Sequence, residues 1–151
     1  MPEAWRIVRE NLLAAAFTGE GAAKFGGRWN SRGVAVVYTS ATRSLAALET
    51  LVHLNHPGPF KYKIIRIEFS DALVDSMGIS RLPSGWRTEP PPRASQRVGD
   101  RWVKAARSAV LALPSVIIPE ESNFLLNPAH ADFKKIRIGK PVDFTFDSRL
   151  R

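Results

Sequence analysis

The chain has no cysteine among its 151 residues. Disulfide staples, thiolate nucleophiles and cysteine-based zinc clusters are therefore excluded. No apolar run approaches the roughly 20 residues that a helix needs to cross a bilayer. Met1-Pro2-Glu3 offers neither the basic start nor the apolar core of a secretory signal. Together these absences lead us to expect a cytoplasmic protein. Acidic residues are also scarce: 14 stand against 22 basic ones, for a net charge of +8. Such an excess favours an anionic partner, whether nucleic acid, a phosphorylated ligand or an acidic protein. The cations are scattered along the chain rather than gathered in a tail, which argues against a simple nucleic-acid-binding arm.

What is present describes an ordinary folded domain. Hydrophobic residues make up 44%, enough for a core, and the length fits one domain spanning 1–151. Residues 4–9 ("AWRIVR") alternate as a strand, with Trp5 and Ile7 on one face and Arg6 and Val8 on the other. Residues 11–27 read as a helical turn followed by a loop. Residues 34–39 ("VAVVYT") are β-branched and apolar on both faces, an interior strand. Ser40 or Thr42 can then cap a helix over 43–54, which Pro57-Gly58-Pro59 stops. Residues 60–70 ("FKYKIIRIEFS") alternate as a long strand. Three successive prolines make 81–93 a loop or flap. A second amphipathic helix is predicted over 95–113, with Trp102, Ala105, Ala106, Ala109, Val110 and Leu113 on its core side. A short strand follows at 115–118, and 133–138 with 142–146 read as a closing pair of strands around Gly139-Lys140-Pro141. Strands outnumber helices and do not alternate with them, so the fold class expected is α+β, with mixed or antiparallel sheets and flanking helices.

Candidate chemistry begins on the 43–54 helix. Leu45, Leu48 and Val52 form one stripe, and Glu49 falls inside it. A carboxylate there either reaches water at the stripe's edge or is aimed into a cleft. Arg28 precedes the 34–39 strand and Tyr38 ends it, so one strand-turn-helix unit can bring Arg28, Tyr38 and Glu49 to a single rim. Gly26 and Gly27 permit close backbone approach to a ligand. Arg28 offers a planar fork suited to phosphate, and Tyr38 a face for a flat ring. His53 and His56 have zinc-compatible spacing, but with no third ligand at metal spacing a metal site is not expected. The glycines of "GEGAAKFGG" lack the strand-turn-helix context of a dinucleotide fingerprint.

The block "GGRWNSRGVAVVYTSATRSLAALETLVHL" resembles the signature of the RES domain family, toxins of bacterial toxin–antitoxin systems. "LPSVIIPEESNFLLNPAHADF" is similar to that family's second signature. The resemblance covers nearly the whole chain. It implies an ADP-ribosyltransferase-like fold and NAD as substrate, with no metal. The activity implied is cleavage of the nicotinamide–ribose bond by hydrolysis or phosphorolysis, or transfer of ADP-ribose to a protein. It also implies an antitoxin partner of helix-turn-helix type. Matched by motif, the family's arginine is Arg28, its glutamate Glu49 and its serine Ser115, with Ser122 seven residues on as the alternative. Tyr38 and Arg6 match a tyrosine and an arginine of the family. In these roles Arg28 and Arg6 would meet the pyrophosphate, Tyr38 would stack on nicotinamide, Glu49 would stabilise the ribosyl cation or orient a ribose hydroxyl or the incoming nucleophile, and Ser115 would bond the ribose or the amide. The competing reading is a non-catalytic basic module that binds nucleic acid, drawn from the same charge and from pairs such as Trp86-Arg87 and Arg101-Trp102; the dispersed charges and the lack of a recognised nucleic-acid motif make it the weaker reading, and direct nucleic-acid binding is not expected.

Overall fold

Trp5 and Ile7 are buried while Arg6 and Val8 are only partly so, the period-two pattern of a strand over Glu3–Arg9, β1. In the computed structural model, which describes residues 1–54 and 60–150, β1 lies inside an eight-stranded sheet. The other strands are β2 (Val37–Ser40), β3 (Tyr62–Glu68), β4 (Val74–Ser76), β5 (Val110–Pro114), β6 (Ser122–Leu126), β7 (Arg137–Ile138) and β8 (Val142–Phe144). They run in the order β4-β5-β6-β2-β1-β3-β7, and β8 also pairs with β3. Only the β4–β5 pairing is parallel among the described residues. Three α-helices accompany the sheet among the described residues: α1 (Glu20–Phe25), α2 (Arg43–Leu51) and α3 (Arg93–Ala105). The class is α+β, as expected from the sequence.

Register decides which side chains share a face. Trp5 on β1 stands opposite Ser40 on β2, Ser40 opposite Asn123 on β6, and Asn123 opposite Leu113 on β5. Side chains two residues along a strand share its face, so Ile7, Tyr38, Leu125 and Leu111 join this side. Here Trp5, Ile7 and Ala46 of α2 pack with Tyr62 and Phe146, while Leu111, Leu113 and Leu125 pack with Trp29, Trp86 and Trp102 of α3. The opposite side is closed by Ala4, Val37, Leu126, Val110, Ile67 and Phe69. Polar Ser40 and Asn123 thus sit on the helix-covered side, between its two apolar clusters.

Several elements depart from the sequence expectations. The 34–39 strand begins only at Val37. Within 11–27 the order is a 3-10 turn over Glu10–Ala15 and then α1. Of the two expected caps for α2, Thr42 serves, its hydroxyl accepting from the Leu45 N–H at 3.0 Å. The buried residues of α2 are Leu45 and Ala46, whereas Leu48 and Val52 of the expected stripe are exposed. The predicted helix over 95–113 is two elements. It ends at Ala105 because Ala106 turns left-handed, with φ 52°. The Trp102 indole N–H then bonds Ser108 Oγ, which donates to the Val110 carbonyl and starts β5. Ala105 and Ala106 are exposed, and Ala109, Val110 and Leu113 are buried by the sheet instead. Residues 115–118 are a bend after β5, not a strand. β7 and β8 do not close on each other; both pair with β3. The expected stop at Pro57-Gly58-Pro59, and His56 with it, lie outside the described residues.

Candidate active site

The site is built from the bend that precedes β2. Gly26 takes φ 73° and the Gly27 N–H bonds the Asn30 carbonyl at 3.0 Å. A Cβ at Gly27 would stand 2.6 Å from the Tyr38 hydroxyl, so no larger residue fits. That hydroxyl accepts from the Trp29 N–H at 3.1 Å and donates to Asn30 Oδ1. Asn30 is fully buried, and its amide donates to the carbonyls of Ala22, Ser31 and Val34. One asparagine thereby staples the bend to α1. Burial pushes the Tyr38 phenol above its ordinary pKa, partly offset by the Trp29 N–H that it accepts.

Arg28 leaves this bend with its side chain only 11% exposed. Its Nη1 donates to the carbonyls of Trp86 and Thr88, and its Nη2 to the carboxylate of Glu89. All three partners belong to the proline-rich segment predicted as a flap. That segment is anchored by Trp86, stacked 6.1 Å from Trp29, and by Arg87 Nε donating to the Val116 carbonyl. Arg6 is held by the backbone, its Nε on the Ala16 carbonyl at 2.7 Å and its Nη1 on the Tyr38 carbonyl at 2.9 Å. Burial lowers its pKa to about 10, which leaves it cationic at neutral pH.

Glu49 projects from α2 toward the polar row of the sheet. Its Oε2 accepts from the Ser115 hydroxyl at 2.8 Å and from the Asn123 amide at 2.5 Å. Asn123 Oδ1 in turn accepts from the Ser40 hydroxyl at 2.7 Å. The Ser115 oxygen also accepts the N–H groups of Ile117 and Ile118. A hydroxyl has one proton to give and two lone pairs, so Ser115 is fully committed. It is also completely buried. Ser115 thus bonds Glu49 and two backbone N–H groups and is not among the residues that line the cleft. Ser122 opens β6 opposite Pro114 and does not border the cleft.

Arg6, Arg28, Tyr38 and Glu49 all line one cleft of about 980 Å³, together with Trp5, Ser40, Asn123 and the backbone of the glycine bend. A cleft of that size falls within the range of small-molecule and cofactor sites. Four residues of this wall escaped the sequence reading. Ser40 and Asn123 carry only the weak signal of a polar residue on the inward phase of a strand. Glu89 has no signal, because nothing local says that the flap folds back onto Arg28. His53 borders the cleft one helical turn beyond Glu49; the sequence raised it only as a metal ligand. His130 lies elsewhere, capping the turn at Ala131–Lys135.

The chain and its fold are similar to known proteins. The chain is 43% identical over 152 residues to the Prs ADP-ribosylating toxin of Sphingobium sp. (strain YBL2), covering 97% of this chain and 94% of that protein. It is 37% identical over 149 residues to Toxin Res of Yersinia enterocolitica, covering 97% and 98%. The fold superposes with a TM-score of 0.77 on a chain in the crystal structure of the M. tuberculosis MbcT–MbcA toxin–antitoxin complex, at 16% identity, covering 95% of this chain and 84% of that one. The RES domain matches residues 3–147, and the chain belongs to the RES domain family.

Proposed function

We propose that this protein is the toxin of a toxin–antitoxin pair and that it breaks the nicotinamide–ribose bond of NAD. One observation carries the reading: the Glu49 carboxylate, tied through one oxygen to Ser115 and Asn123, shares a cleft with Arg28. NAD offers each group its counterpart. Its pyrophosphate suits guanidinium forks, and its nicotinamide presents a flat face to the Tyr38 ring. The bond from ribose C1 to the pyridinium nitrogen breaks with both electrons going to nitrogen, so nicotinamide leaves neutral. The positive charge left on C1 and the ring oxygen lies beside Glu49, whose fixed carboxylate stabilises it. An oxygen of water, phosphate or a protein side chain then bonds to C1, and any proton it carries is released. Arg28 begins bonded to Glu89, so a substrate phosphate reaches it by taking that carboxylate's place.

The toxin names of the relatives support this activity, and the name of the Sphingobium relative favours ADP-ribosyl transfer. The superposition on a chain from a toxin–antitoxin complex supports a proteinaceous antitoxin, in our reading of helix-turn-helix type. The test is to incubate the purified protein with NAD, with and without phosphate and cell extract, and to weigh the products. ADP-ribose, its phosphorylated form, or a protein heavier by one ADP-ribose identifies the acceptor. A folded protein that releases no nicotinamide under any of these conditions overturns the reading.

A further inference from the structure

Cations scattered in the sequence are gathered in space on α3. Arg93, Arg97, Arg101 and Lys104 are all exposed. At roughly 100° per residue they fall within about 80° of the helix circumference. Ser95, Gly99 and Trp102, the buried residues of the helix, lie on the opposite side. None of the four cations has a hydrogen bond, an ion pair or a ring contact among the described residues. The one acid of the helix, Asp100, is occupied by the Ser31 backbone N–H and hydroxyl. The result is a strip of four unpaired cations about 16 Å long, at 1.5 Å of rise per residue, with Asp100 at its edge.

We infer that this strip is a contact surface for the phosphate backbone of a nucleic-acid duplex. Duplex DNA presents one negative charge about every 1.7 Å along its axis, so a row of four cations finds partners along its whole length. An acidic protein fits the strip less well. Protein interfaces are centred on apolar and aromatic residues, and α3 contributes no large exposed apolar side chain. Contacts to phosphate oxygens carry no sequence information, so binding through the strip is expected to be independent of sequence. None of its four cations is among the residues that line the NAD cleft. The inference therefore stands apart from the enzymatic reading.

The test is fluorescence anisotropy of a labelled random-sequence DNA duplex titrated with the full chain. If four phosphates are neutralised at about 0.9 counterion each, log K falls against log salt with a slope of about −3.6, roughly 150-fold in affinity between 50 and 200 mM salt. Arg97→Gln with Arg101→Gln and Lys104→Gln should flatten that slope to about −0.9, roughly threefold over the same range. Lys134→Gln with Lys135→Gln, away from α3, should leave it unchanged. If the triple variant melts below the parent, Arg97→Gln and Lys104→Gln are taken singly, each expected to lower the slope by about 0.9. No binding at 50 mM salt, or a slope indifferent to these substitutions, overturns the inference. So does displacement of the duplex by polyglutamate at equal charge. Nicotinamide release by the same preparations should match the parent, which keeps the two readings separately testable.

Discussion

The chemistry of single residues depends on which groups still have bonds to offer. Glu49 receives its two bonds on Oε2. Glu49→Gln should keep the fold and its melting temperature while nicotinamide release falls about 100-fold or more, read from initial rates. Ser115→Ala behaves differently, because it removes one donor to Glu49 and the shared acceptor of two half-buried N–H groups. It should cost about 1–3 kcal/mol of stability and lower kcat more than it raises KM. If instead KM alone rises, Ser115 touches substrate after all. Glu89→Gln removes the carboxylate that competes for Arg28, so KM for NAD should fall several-fold with kcat little changed. An unchanged or higher KM means that Glu89 holds Arg28 in place for substrate rather than competing with it. Tyr38 supplies a pH dependence. Its folded pKa is raised by burial, so its contribution to stability is complete below about 10, the value of an unfolded tyrosine, and is lost as pH rises above that. Phenolate absorbance from Tyr38 should appear only together with alkaline unfolding.

At the scale of elements, the site depends on how helices are held to the sheet. Thr42→Ala removes the cap of α2 and should cost about 1 kcal/mol, read as a lower melting temperature, with a smaller loss in rate because Glu49 rides on that helix. Gly99→Ala should cost more. Its Cβ would lie 1.8 Å from the Trp29 carbonyl oxygen, so α3 must lift off the bend that carries Arg28. Overpacking of this kind costs about 1–3 kcal/mol or more, and substrate affinity should fall with it. Elements were legible in the sequence where local chemistry decided them: the alternation of β1 and β3, the capped start of α2, the proline flap. They were not legible where a tertiary contact decided. The run from Ala105 to Leu113 continues a helical periodicity, and only the left-handed Ala106 with the Trp102–Ser108–Val110 relay breaks it into helix and strand. Arg28 and Glu49 could be singled out because a cation beside two glycines and an acid on an apolar stripe each lack a structural reason to be there. Asn123 and Ser40 could not be, because only strand register brings them beside Glu49.

At the scale of the whole molecule, the net charge is +8; Arg6 and Arg28 line the cleft, while Arg93, Arg97, Arg101 and Lys104 are exposed on α3. Because the cleft is bordered by both apolar clusters of one sheet face, ligand binding should stabilise the entire fold rather than one lobe. With Glu49→Gln to prevent turnover, NAD at 100 times its Kd should add about 2.7 kcal/mol, seen as a single melting transition moved upward. No described helix is long and apolar enough to cross a membrane. The outermost strands carry a consequence of their own. β4 spans three residues, β7 two and β8 three, with Gly139 and Pro141 interrupting the run between the last two. Such stubs expose too few free amides to template another chain, and proline has none to lend. The broad sheet is thereby blunted against growing into fibres, and concentrated stocks of the protein should stay clear.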